Sequence, residues 1–438
     1  MRRDVLLAGV LLAALTALGW RQLLSNAGAA ADAFQQEYAS AQEKAAEGLY
    51  HVALEDYQSA LALQNSPVLW AEVAETCLLY YEQDPSLSTR NYVLAALNAG
   101  ISNSPDVPAL WESALSICLD AGAYSEAQSY VNRAGAAKVS SQRFSMLAQQ
   151  LTYTYTTSYT SYPQVGPYGG GCFPVRQGSL WGQTLADGST KTAAAYPYIG
   201  PSGADGSALF VEDAGTATLR DSQGIPLTRI RGEILTAGAP SEGYLWVSDG
   251  QTCHYVDTKG VQVFGVYEAC SNFAGGQAAV RDGGLWGILS ADGTFALEPC
   301  FTDIKLTPDG GWVAGGRMLA QRDGTYQIYA SLEEPVSSFS CDEIGIPTED
   351  QLIAFCRDGL WGFVDADGVE QLVPIYQAAR SFSNGLAAVC QDGLWGFIDR
   401  QGVLVIDYAF TDVGYFTPEG TCMVEREPGV WVLLSFVV

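Results

Sequence analysis

His51 and His254 are the only histidines in the 438-residue chain, which leaves little room for a histidine-based catalytic centre. His51 falls in a helix-turn pattern, and His254 stands where other copies of a repeat carry Gly, so both read as structural. The ten cysteines include no Cys-x-x-Cys pair, and Cys356, Cys390 and Cys422 fall in runs that read as strands. Small buried apolar side chains account for them better than metal binding, while disulfides between neighbouring segments stay open. Carboxylates are abundant, and the turn Asp365-Ala366-Asp367-Gly368 invites a calcium test. With Gly368 as the sixth residue of an EF-hand loop, the first falls on Phe363 and the twelfth on Pro374, so a hairpin turn is the better reading. No phosphate loop, zinc-ligand spacing or nucleophile elbow occurs. The sequence thus assigns no catalytic residue, no metal and no cofactor. A carboxylate pair for glycoside hydrolysis stays open, because its separation is a three-dimensional fact.

The residues that do recur are Trp and Gly. Trp181-Gly182, Trp286-Gly287, Trp361-Gly362 and Trp395-Gly396 are each followed, seven residues after the Trp, by Gly188, Gly293, Gly368 and Gly402. On that ruler the Trp position also falls at Ala217, Cys253, Tyr326 and Trp431, giving eight positions separated by 36, 36, 33, 40, 35, 34 and 36 residues. A fixed period of this size is the signature of a repeat architecture. Within a unit, an alternating run ends in an apolar residue six before the Trp position (Val175, Val211, Val247, Val280, Phe355, Val389), and an Asp-Gly turn such as Asp392-Gly393 supplies the positive φ of a tight hairpin. The Trp strand and a second Gly turn follow. The Trp reads as packing between neighbouring sheets, and the Gly after it as a place where another backbone comes close. Ser290-Ala291-Asp292-Gly293-Thr294-Phe295 approaches the Ser-x-Asp-x-Gly-x-x-Trp box of sialidase-type propellers, but its Gly comes one residue early and the Trp is missing.

About fifteen residues after the Trp position comes an aromatic-x-x-apolar signature, as in Phe301-Ile304, Tyr376-Ala379 and Phe410-Val413. Tyr162-Pro163-Gln164-Val165 matches it, so residues 151–171 read as the second half of a repeat without a first half, while the unit carrying Trp431 has a first half only. Joining them closes a ring of blades and removes exposed strand edges. The units Gly359–Gly368 and Gly393–Gly402 resemble the WG-repeat (KWG-repeat) family of bacterial proteins, with Leu360 and Leu394 where that family often carries Lys. The resemblance implies a β-repeat domain, commonly on an exported or surface protein, and no defined chemistry.

Residues 32–150 are helical by pattern, with apolar residues at three and four spacings. Gly48-Leu49-Tyr50 with Ala53 returns 74 residues later as Gly122-Ala123-Tyr124 with Ala127, and the segment between breaks at Asp84-Pro85 and Ser104-Pro105. These residues resemble tetratricopeptide repeats, which implies a concave peptide- or protein-binding surface; with so few units, a helical spacer that holds the next domain off the membrane is the competing reading. The N-terminus has an uncharged run from Val5 to Trp20 behind Arg2 and Arg3, read as an uncleaved signal anchor with the rest of the chain outside the cytoplasm. Cleavage near Ala27-Gly28-Ala29, and hence secretion, is the alternative. The net charge of −26 argues against nucleic acid as a partner.

The expectation is a multi-domain chain: a membrane anchor at 1–25, a tetratricopeptide-like helical array at 32–150, and an all-β domain at 151–438. The last is most simply an eight-bladed β-propeller closed by pairing of its N- and C-terminal strands. The expected function is non-catalytic binding of a protein, a peptide or a cell-wall glycan. A carboxylate-dependent glycoside hydrolase with its site in the propeller channel is the alternative. Specificity is expected where repeats differ, around Ala217, Cys253 and Tyr326 and in a long insertion from Ser331 to Asp350.

Overall fold

A computed structural model describes residues 31–213 and 215–437, which divide into a helical unit ending at Thr154 and a β unit from Tyr155 to Phe436. The expected anchor at 1–25 lies outside the described residues; among those described, no helix is long and apolar enough to cross a membrane.

The helical unit contains α1 (31–46), α2 (Tyr50–Leu63), α3 (Pro67–Gln83), α4 (Leu87–Asn103), α5 (Pro108–Asp120), α6 (Tyr124–Ala136) and α7 (Gln142–Thr152). Gly48 and Gly122 end α1 and α5 with φ of 76° and 64°, a left-handed turn that residues with a Cβ rarely adopt. Across those turns Leu49 N–H donates to the Lys44 carbonyl (2.9 Å) and Ala123 N–H to the Cys118 carbonyl (2.8 Å). Pro67 and Pro108 open α3 and α5, where the missing N–H costs nothing, and the Ser86 hydroxyl caps α4. The breaks expected at Asp84-Pro85 and Ser104-Pro105 are both present. The core gathers Leu54, Leu97, Leu110, Trp111 and Leu115, and a Cβ on Gly100 would stand 2.6 Å from Leu110, so α4 lies close on α5.

The β unit is a propeller of eight antiparallel sheets, seven of four strands and one of three. Blade one spans Gln164–Tyr196, two Tyr198–Arg231, three Thr236–Tyr267, four Ala269–Phe301, five Asp303–Tyr329, six Glu343–Tyr376 and seven Ala378–Phe410. Each runs from a two-residue inner strand outward. Blade eight consists of Asp412–Val413, Thr421–Glu427 and Val430–Phe436, and its outer strand is Tyr155–Tyr162, with Tyr162 opposite Trp431 and Tyr155 opposite Phe436. The ring therefore closes with a strand from the start of the unit. The sequence repeat and the blade are out of phase: Tyr162 ends the closing strand, while Gln164–Val165 already opens blade one.

One expectation is corrected. Ser331–Asp350 is not an insertion. Its first part takes the outer position of blade five in irregular form, with bridges Tyr326 to Cys341 and Tyr329 to Pro335, and Glu343–Ile344 is already the inner strand of blade six. The extra residues of the longest interval sit instead in the loop between Ile304 and Met318. The hydrophobic core is divided into clusters that each bridge adjacent blades, such as Phe363 of blade six with Phe382 and Val389 of blade seven.

Candidate functional site: the blade seams and the central channel

Every Trp position lies on the third strand of its blade. Trp286 is buried, whereas Trp181, Trp361, Trp395 and Trp431 are half-buried. Each faces an aromatic residue of the outer strand or its counterpart: Trp181 opposes Tyr196, Trp286 Phe301, Trp361 Tyr376, Trp395 Phe410 and Trp431 Tyr162. Gly182, Gly287, Gly362 and Gly396 meet the backbone of their own outer strands. A Cβ there would stand 2.5, 2.8, 2.6 and 2.6 Å from the carbonyl oxygens of Thr192, Leu297, Leu372 and Ile406. Those contacts sit where the ladder shifts register, between Trp361 and Phe363 for example, so the glycine makes room for a bulge.

The deepest seam packing comes two residues after the Trp position. Tyr255, Phe363 and Phe397 are fully buried and contact Phe273, Phe382 and Phe416 of the next blade nearly edge-on, at 5.0, 4.9 and 5.0 Å between ring centroids. A hydroxyl of the first blade in each pair donates to the carbonyl of that same phenylalanine: Ser241 to Phe273 (2.7 Å), Thr348 to Phe382 (2.6 Å) and Ser383 to Phe416 (2.7 Å). Sequence reading missed both features. Phe382 and Phe416 each lie 21 residues after a Trp position, a spacing that would have marked them.

The inner loops of blades one and five to eight surround a cavity of about 650 Å³. Its wall includes Tyr168, Tyr415, Phe416, Pro308 and Pro347, and Asp309, Glu349 and Asp350 stand on it. Each carboxylate is already engaged: the Thr307 hydroxyl donates to Asp309 (2.5 Å), Gly315 N–H to Glu349 (3.2 Å) and Gly385 N–H to Asp350 (2.7 Å). The latter two bonds cross from one blade's turn to the next. Glu242 does the same elsewhere, accepting from Gly275 and Gly276 N–H at 2.7 and 2.8 Å. Tyr168 donates to Glu419 (2.6 Å), which holds that carboxyl below its ordinary range. Burial pushes the Tyr415 hydroxyl up to about 12.

A family model described as WG containing repeat matches residues 255–286, 361–395 and 395–427, each running between two Trp positions. The chain carries WG repeats. No curated protein matches it. Among solved structures, the C-terminal WD40 domain of Sif2 aligns at 12% identity and TM-score 0.42 over 64% of this chain and 98% of that one. The Myceliophteria thermophila Cps50 (Swd1) β-propeller domain aligns at 12% identity and TM-score 0.38 over 65% and 99%. The dihydro-heme d1 dehydrogenase NirN aligns at 15% identity and TM-score 0.39 over 63% and 74%. At such scores these likenesses carry nothing about function.

The WG-repeat units that depart from the pattern are structurally specific. Cys253, in the Trp position of blade three, forms a disulfide with Cys270 on the inner strand of blade four. Tyr326, in that position of blade five, donates to Asp303 (2.6 Å) and lies under the Lys305 ammonium (4.5 Å), while Ala217 is simply buried. Burial would lower the Lys305 ammonium, yet hydrogen bonds with Tyr326 and Asp303 hold it above its ordinary value. His254 is half-buried, which depresses its pKa, and His51 stacks on Tyr92 at 4.9 Å in the helical unit. The Asp365 side chain accepts from Asp367 and Val369 N–H (3.0 and 2.9 Å), closing its own hairpin turn.

Proposed function

We propose that this protein is a non-catalytic interaction scaffold, anchored by its N-terminal segment, with its repeat units outside the cytoplasm and a protein or peptide as its partner. The observation that supports it is how the recurring residues are used. The WG tryptophans Trp181, Trp286 and Trp361, the buried aromatics and the turn carboxylates Glu242, Glu349 and Asp350 join one blade to the next, while the WG glycines shape their own blade, so the recurring residues serve as scaffold. The Cys253–Cys270 disulfide favours an oxidising location. A tetratricopeptide-like reading of α1–α7 adds a second partner surface.

A carboxylate-dependent glycoside hydrolase is the second reading, favoured by the three carboxylates on one cavity. It is weakened because Glu349 and Asp350 are tied to turn amides that join blades. The test is a peptide and glycan array probed with the full chain, run beside a hydrolysis assay on the same glycans. Retention of peptides without turnover is expected. Glycan turnover would move the assignment to the enzyme, and an array with neither retention nor turnover would end the scaffold reading. Protease accessibility of the β unit in intact cells tests the location.

A further inference from the structure

The bore of the propeller differs from one side to the other. Towards blades three to five neighbouring blades are tied together: the Trp246 indole donates to the Asn272 side chain (3.1 Å), and the Asn272 amide donates to the Asp309 carbonyl (2.8 Å). A Cβ on Gly238 would stand 2.0 Å from the indole nitrogen, so nothing larger than Gly fits there. From Asp309 onward, towards blades six to eight and one, the bore opens into the cavity of about 650 Å³.

The cation lining this opening, Arg380, is already spent. Arg380 pairs with Asp412 (2.6 Å) and lies over the rings of Trp395 (5.1 Å) and Tyr415 (5.9 Å). Asp309 and Glu349, by contrast, have no ion-pair partner among the described residues, and Asp350 meets Arg400 at 3.3 Å. The opening therefore carries surplus negative charge, on a chain whose net charge is −26. Beside it stands an aromatic wall whose Tyr415 hydroxyl has no hydrogen-bond partner among the described residues. Arg380 shows that a carboxylate plus an aromatic face can hold a cation at this cavity.

We propose that the cavity captures a lysine or arginine side chain of an extended basic peptide, its aliphatic stem on the Tyr415–Phe416 wall and its cationic head at Asp309 and Glu349. Such side chains lay apolar stems on apolar walls while the charge meets carboxylates. The cavity is far larger than one side chain, which suits a segment of peptide entering from solvent. This inference rests on the interaction reading above.

The test is fluorescence anisotropy of the full chain with a labelled lysine-rich octapeptide, its lysine-acetylated form and a glutamate counterpart. The lysine peptide is expected to bind, and acetylation to weaken it by about tenfold or more. Asp309→Asn with Glu349→Gln is expected to cost about tenfold, whereas Glu333→Gln with Glu334→Gln, the same charge change at exposed positions outside the cavity, stays within about twofold. Melting curves confirm that both double variants are folded. Equal losses in the two variants, or equal binding of the glutamate peptide, would overturn the cavity as the site. If the lysine peptide fails while the array retains other ligands, only this inference falls; silence in both assays removes the scaffold reading as well.

Discussion

The seam between blades six and seven and the seam between blades three and four share all their main parts except one. In the first, Trp361 is half-buried against Tyr376, Phe363 lies edge-on to Phe382, and the Thr348 hydroxyl holds the Phe382 carbonyl. In the second, Tyr255 lies edge-on to Phe273 and the Ser241 hydroxyl holds the Phe273 carbonyl, but the Trp position is Cys253, bonded to Cys270. The aromatic pair and the hydroxyl persist, and the Trp is exchanged for a covalent link. The residue that makes the repeat visible is thus replaceable, and the buried pair behind it is the constant element of the two seams.

That comparison presumes a closed ring, in which every seam has neighbours on both sides. Deleting residues 155–162 removes the outer strand of blade eight and leaves an open edge. The expected result is the largest of all: the cooperative thermal transition is lost or its midpoint falls by more than about 10 °C. An unchanged transition would mean that the segment is a linker and that seams need no closure.

Within a closed ring, the buried aromatic should outweigh the Trp. Phe363→Ala is expected to cost about 3–5 kcal/mol, because Phe363 is fully buried and a cavity remains. Trp361→Ala should cost less, about 1–3 kcal/mol, since part of that ring already meets solvent. Urea titrations of the two variants decide it, and the reverse order would restore the Trp as the main seam contact. At the other seam, Cys253→Ser with Cys270→Ser is expected to cost about 3 kcal/mol for a link across a sequence separation of 17. Reductant should lower the midpoint of the parent protein and leave that of the double variant in place.

Much of this architecture is legible in the sequence because Trp-Gly pairs and Asp-Gly turns are rare enough to stand out at a fixed spacing. The half-units at the two ends of the β domain even expose the closure, since Tyr162–Val165 keeps the signature that in other units joins the end of one blade's outer strand to the inner strand of the next. The parts that stay hidden do so for physical reasons. The latch is made by Ser at 241 and 383 but Thr at 348, and any hydroxyl at the right reach serves, so no single residue type repeats. The Cys253–Cys270 bond depends on two blades coming together. The outer strand of blade five is irregular, which makes Ser331–Asp350 look like an insertion although the interval from Tyr326 to Trp361 is an ordinary 35 residues. The cavity forms only when loops from five blades converge, so its Asp309, Glu349 and Tyr415 carry no local motif.

The smallest expected effect is also the sharpest probe of how a seam works. Thr348→Val keeps the shape of the side chain and removes the donor to the Phe382 carbonyl, for an expected cost of about 0.5–1.5 kcal/mol. If the hydroxyl only satisfies a carbonyl, that cost should be the same whether residue 363 is Phe or Ala. If it holds Phe382 in place for the edge-on contact, the two changes are coupled. A double-mutant cycle of Thr348→Val with Phe363→Ala should then show about 0.5 kcal/mol or more of interaction energy. Additivity within error would separate latch from aromatic pair and reduce the constant element of these seams to the rings alone.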